Sequence, residues 1–150
     1  MLFRSPNTKT KKPNAILDVE RTQELLVRQG IYVLVKRFTA KEERRRVVAC
    51  IYDPTRIPAK RVGFENHLNY FHANGAGLTM NLAKGLAVFL NSTLVDVYFR
   101  QFNGHTQVNA TDLRSLNYPT RVDFEALGRK IGDAFPEQAA LDEMIQREFF

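Results

Sequence analysis

Between Tyr98 and Pro119 the sequence concentrates side chains that hydrogen-bond in a defined plane. Arg100, Gln101, Asn103, His105, Thr106, Gln107, Asn109, Thr111 and Asp112 follow one another with only small interruptions, Val108 and Ala110 among them. An Asn or Gln amide presents a donor and an acceptor side by side, the geometry that pairs two-pronged with an adenine edge; arginine does the same for guanine. The chemistry this points to is recognition of base edges rather than bond making. Asn103-Gly104 reads as a tight turn with positive backbone torsions. The plainer alternative is a polar connection in which Asn109 or Thr111 caps a short helix.

Two further groups have the right residue types for chemistry. Lys36 and Arg37 end an apolar run, and Lys41-Glu42-Glu43-Arg44-Arg45-Arg46 places four cations on one short connection, where they would meet a phosphate backbone or serve solubility. Asn66, His67 and Asn69 lie in a segment read as a strand, with Glu65, His67, Asn69 and Phe71 on one face. That line, with His105, is the only arrangement resembling an active site, and it supports a nuclease as the alternative function. No His or Cys spacing suits a metal, because His67 and His72 fall on opposite strand faces. A Gly-rich phosphate loop and a nucleophile elbow are absent from the sequence. A basic protein-interaction domain is the third reading.

The charge is uneven. Residues 1–61 carry fifteen Lys and Arg against six Asp and Glu, whereas residues 62–150 carry seven against ten. A basic half on a balanced remainder is the footprint of a polyanion partner. The 150 residues suffice for one domain with a core, and 44% hydrophobic with 25% charged content describes a globular chain. No apolar run reaches membrane-spanning length, so no membrane partner is expected. The lone Cys50 lies in an apolar run, which predicts a buried, inert thiol and a reducing, cytoplasmic setting.

The elements that must position these groups follow from periodicity. Residues 1–13 read as a flexible basic arm. Asp18 to Gly30 reads as a helix with its cap and stop, Ile31–Phe38 and Arg46–Tyr52 as a β-hairpin, and Val62–His72 as a further strand. Thr79 caps a helix to about Asn91. A second helix begins at Ser92 or Thr93, with Asp96 in the capping-box position and an apolar stripe of Leu94, Val95, Tyr98, Phe99 and Phe102. Val122–Gly132 and Glu137–Phe150 read as two more helices, acidic in balance. The expected fold is α+β, a small antiparallel sheet packed with helices and a helical C-terminal third.

The segments Phe89–Asp96 and Tyr98–Leu113, with Lys12-Pro13-Asn14-Ala15-Ile16, Val35-Lys36-Arg37-Phe38 and Gly63–Asn69, resemble the C-terminal specificity region of bacterial adenine-specific (N6) DNA methyltransferases of restriction-modification systems. The resemblance covers about residues 11–120. It implies a target recognition domain over 14–120, with 121–150 as a helical extension, whose partner is double-stranded DNA. It also implies a methyltransferase catalytic domain on the same or another chain, which would use S-adenosylmethionine. The Asn/Asp-Pro-Pro-aromatic motif and the Gly-containing cofactor motif of that domain do not occur in these residues, and Asn117-Tyr118-Pro119 does not replace them. No catalytic, metal or cofactor-binding residue is therefore assigned. The residues expected on DNA are Lys36, Arg37, Arg44, Arg45, Arg46, Asn66, His67, Asn69, Arg100, Gln101, Asn103, His105, Thr106, Gln107, Asn109 and Thr111.

Overall fold

The β-branched and aromatic run after Gly30 builds the centre of the molecule. In a computed structural model, which describes residues 19–56 and 59–150, β1 is Val27–Arg28 and β2 is Tyr32–Lys36. β3 is Ala49–Tyr52, β4 is Arg61–Val62 and β5 is Leu68–Phe71. The fold is α+β. β2 lies between β3 and β5 in a three-stranded antiparallel sheet, with Tyr32 opposite Tyr52 and Lys36 opposite Leu68. The short β1 and β4 pair separately, Val27 opposite Val62. The basic arm, the Lys12–Ile16 motif and the Asp18 cap lie outside the described residues.

Strand alternation sends Val33 and Val35 to one face and Tyr32 and Leu34 to the other. The valine face joins the main core with α1 (Met80–Leu90), α2 (Thr93–Phe102), α3 (Ala110–Arg114), α4 (Arg121–Arg129) and α5 (Gln138–Phe149). The other face carries a smaller aromatic cluster of Tyr32, Tyr52 and Val62, with Phe64 packed against it. Asn91, at the end of α1, ties this helix to β3: its amide accepts from Ala49 N at 3.0 Å and donates to Ala49 O at 2.8 Å. No single helix is long and apolar enough to cross a membrane among the described residues.

Several expectations need correction. The helix read over Asp18–Gly30 is, in its described part, a 3-10 turn, Glu20–Leu25, followed by β1. Its spacing matched a helix, but Leu25 is exposed and only Leu26 is buried, so there is no apolar stripe to hold a longer one. Gly30 stops no helix; it lies backbone to backbone against Gly77, where Leu78 N donates to Ile31 O at 2.7 Å. The single strand read over Val62–His72 is two, separated by a turn at Asn66-His67. Glu65, His67 and Asn69 therefore share no strand face. Ser92, not Thr93, caps α2, and Asp96 turns inward instead of closing a capping box. Of the expected α2 stripe, Val95 and Phe99 are buried, whereas Leu94, Tyr98 and Phe102 are exposed. Cys50 is exposed, because Val47 and Ala49 take the inward positions of an alternating strand; neighbours that partly desolvate its thiol push its pKa up.

The helix layer rests on two glycines. α1 and α4 approach so closely that a methyl at Gly85 would stand 2.1 Å from Phe124 O, and one at Gly128 would stand 1.8 Å from Asn81 O. Backbone, not a flexible side chain, opposes both, so the helices must separate to admit either. Gly85→Ala and Gly128→Ala are each expected to destabilise the protein by roughly 3 kcal/mol through overpacking. Urea unfolding monitored by circular dichroism measures this; midpoints equal to the wild type would show that the helices have room.

Candidate nucleic-acid interface

The polar segment after α2 is held by a buried charge. Arg46 is 1% exposed. Its Nε donates to Thr39 Oγ1 at 3.2 Å, its Nη1 to Asn103 O at 3.4 Å, and its Nη2 to Asn103 Oδ1 at 3.1 Å and to His105 O. The guanidinium carbon lies 5.7 Å over the Phe99 ring. An arginine stays charged when buried, so it must be surrounded by acceptors, and here backbone carbonyls and an amide supply them. Asp96, in the first turn of α2, accepts Arg46 N at 2.6 Å and Arg100 Nε at 2.8 Å. The other donors of Arg100 reach Lys41 O and Glu43 O, both at 2.8 Å. α2 thus grips the connection between β2 and β3 through one carboxylate and one guanidinium.

Asn103 passes the order forward. It is 4% exposed. Its Oδ1 accepts His105 N at 3.0 Å, and its Nδ2 donates to Gln107 O at 3.1 Å and Asp112 Oδ2 at 2.8 Å. Asp112 Oδ2 also accepts Asn109 N at 3.0 Å, which fixes the start of the short helix α3 (Ala110–Arg114). These bonds leave Asn103 in extended backbone with φ −98°, so the expected left-handed turn does not form there. Among the described residues the positive φ angles belong to Asn74 and Gly75, in the turn before Thr79, which caps α1 as expected.

Held in this way, residues 106–108 run alongside 37–39. Thr39 N donates to Thr106 O at 3.0 Å, Val108 N to Arg37 O at 2.7 Å, and Phe38 bridges to Gln107. On the other flank Arg37 N donates to His67 O at 2.8 Å, and Arg37 Nη1 reaches Asn66 O at 3.3 Å. The Asn69 amide closes the seam on Val108 O at 2.8 Å. Three segments distant in sequence therefore meet on one edge, which carries Arg37, Asn66, His67, Thr106 and Gln107, with His105 next to them in the chain. Asn66, His67, His105 and Thr106 are exposed; Arg37, Asn69, Gln107 and Asn109 are half-buried.

The remaining expected residues divide. Arg46 and Asn103 do not reach the surface, and the donors of Arg100 serve the connection between the strands, so all three organise the edge instead of presenting themselves on it. Arg45 donates to Thr93 Oγ1 at 3.0 Å. Lys36 pairs with Glu43 at 2.8 Å; that bond, with Ala40 N, holds the Glu43 carboxyl below the usual range. Lys41 and Arg44 are exposed, as are Gln101 on α2 and Thr111 on α3. Asn109 is the N-terminal cap of α3, as the plainer reading had it. The line suggested for an active site dissolves: Glu65 accepts His67 N at 3.0 Å and lies 2.7 Å from His67 Nδ1 within one turn. No group of three or more His, Cys, Asp or Glu able to hold a metal occurs among the described residues. Sequence reasoning missed Phe38, an exposed residue whose ring has the Arg37 guanidinium over it and meets the His67 ring edge-on. Its signal was an aromatic residue at the mouth of a charged connection.

The chain is 58% identical over 142 residues to the type II methyltransferase M.PstI of Providencia stuartii, a match that covers 95% of this chain and 28% of that protein. It is 52% identical over 119 residues to the type II methyltransferase M.BsuBI of Bacillus subtilis, with 79% and 24% covered. Its homologues are type II methyltransferases. The chain spans about a quarter of the length of these curated relatives. No family model matches the sequence, and no solved structure matches it. The expected link to methyltransferases of restriction-modification systems therefore stands at that level.

The buried guanidinium generates a direct test. Arg46→Met removes the donor to three oxygens of Asn103 and His105 and leaves them inside the protein. Two or more unsatisfied acceptors predict a loss of about 3 kcal/mol in unfolding free energy. Arg46→Lys, a point charge without the planar fork, is expected to recover only part of it. Chemical denaturation measures both variants, and a wild-type midpoint for Arg46→Met would remove the guanidinium from its organising place.

Proposed function

We propose that this chain is a sequence-specific double-stranded DNA recognition module, the specificity part of an adenine-specific type II methyltransferase. The observation that carries the proposal is the convergence of Arg37, Asn66, His67, Thr106 and Gln107 on one edge built from three separate segments. Amide, imidazole and guanidinium groups on fixed backbone suit base-edge reading, which needs donors and acceptors at set positions. The exposed Lys41 and Arg44 lie on the connection that α2 grips and are suited to phosphates, which give affinity and register without sequence information. The type II methyltransferase homologues support the setting. In this reading the methyl transfer and its S-adenosylmethionine belong to a catalytic domain, on the same or another chain, and no residue here takes a step in that chemistry.

The two parts of the proposal separate by experiment. DNA affinity of the chain should fall with salt. Lys41→Ala with Arg44→Ala should flatten the slope of log affinity against log salt by about 1.8, or about 0.9 for each phosphate that is no longer neutralised. Gln107→Ala should keep the salt slope and lose roughly tenfold in discrimination between specific and random duplexes. Fluorescence anisotropy titrations give both quantities. Salt-independent binding would sink the phosphate part, and unchanged discrimination in Gln107→Ala would sink the base-reading part.

A further inference from the structure

The polar edge also carries an exposed aromatic side chain. Phe38 is 40% exposed, although its backbone is locked by the bridge to Gln107. The Arg37 guanidinium lies 5.8 Å from the ring centroid, and the His67 ring meets it edge-on, centroids 5.0 Å apart at 80°. Single exposed hydrophobic residues are ordinary on protein surfaces. This one differs in its setting: the ring is braced on its flanks and surrounded by groups suited to base edges. Its fixed position removes the ordering cost that a free aromatic side chain would meet on binding.

Of the four base-pair edges in the major groove, only thymine offers an apolar group, its C5-methyl. We propose that Phe38 makes the apolar contact with a thymine 5-methyl group and so sets specificity at that position. This deepens the DNA-reading proposal and rests on it. The ring has the Arg37 guanidinium and the His67 ring against it, which suits contact with a projecting methyl; a wedge entering a base step must project freely from the surface. The neighbours complete the recognition: Arg37 and Gln107 hold the donors and acceptors for adjacent edges, while the ring excludes water from the methyl.

The test begins with selection of duplexes from a random pool by the whole chain. The enriched duplex is resynthesised with each thymine in turn replaced by deoxyuridine, which deletes only the methyl group. Affinity should fall about fourfold at one position, the worth of one buried methyl-sized group. Phe38→Ala should bind the thymine and uracil duplexes equally, with an unchanged salt slope and a native circular dichroism spectrum. Phe38→Leu should keep part of the thymine preference. If no thymine is sensitive to removal of its methyl, or if Phe38→Ala keeps the wild-type preference, the Phe38 assignment is overturned while DNA reading stands. If the chain enriches no sequence, the DNA-reading proposal fails and the assignment falls with it.

Discussion

Everything at the candidate edge depends on one buried cation. A guanidinium taken out of water loses several kcal/mol of solvation and cannot discard its proton. Arg46 therefore dictates where oxygen atoms must be. Two of those oxygens are backbone carbonyls, of Asn103 and His105, so the charge fixes main chain and not just side chains. Its own amide is held by Asp96, and its carbonyl accepts Thr39 Oγ1 at 2.9 Å. The β2–β3 connection and the segment after α2 consequently have one shared set of bonds. Neither can shift without leaving polar atoms inside unpaired.

This sharing explains why a segment rich in Asn, Gly, Thr and His, types that favour mobile loops, has a defined path. Asn103 spends both ends of its amide on that path, and Asp112 spends one oxygen on two donors. Residues 106–108 then behave as a short extra strand beside 37–39. Side chains projecting from such a ribbon have set spacings, which is what a reader of base edges requires. Beneath it, the close approach of α1 and α4 through Gly85 and Gly128 gives the sheet a helix layer with little room to slide.

Periodicity found most of the framework. β2, β3, α1, α4 and α5 all fall where alternating or helical spacing put them, because each buries a face long enough to dominate its local pattern. The failures are where tertiary bonds overrule local preference. Asn103-Gly104 favours a left-handed turn on its own, yet the acceptors demanded by Arg46 keep Asn103 extended. Arg46 stood in a run of charges that reads as solvated, and nothing in Lys41–Arg46 distinguishes the one cation that turns inward. Val62–His72 read as one strand because its apolar residues are spread along it. The two-residue ribbon of β1 and β4 is too short to leave a pattern. At the candidate edge the residue types were legible in advance. Their division into presenters and organisers was not, since it depends on bonds that span more than fifty positions, such as Arg46 with Asn103.

That division has a physical logic. A side chain offered to a partner must leave donors or acceptors to water in the free protein, and a side chain that holds a scaffold must pair them within the chain. Arg46 and Asn103 have their groups committed inside the fold, and the exposed Arg100 commits its donors to Asp96, Lys41 O and Glu43 O; His105 and Thr106 stand exposed. Arg37 stands between the two groups. Its backbone sits in the centre of the seam and one guanidinium nitrogen rests on Asn66 O at 3.3 Å, a long bond at the surface that is weak enough to exchange for a better partner. A half-committed arginine of this kind sacrifices little on leaving its resting place. The same buried charge that keeps Arg46 from the surface thus helps to hold the seam in which the Arg37 backbone sits.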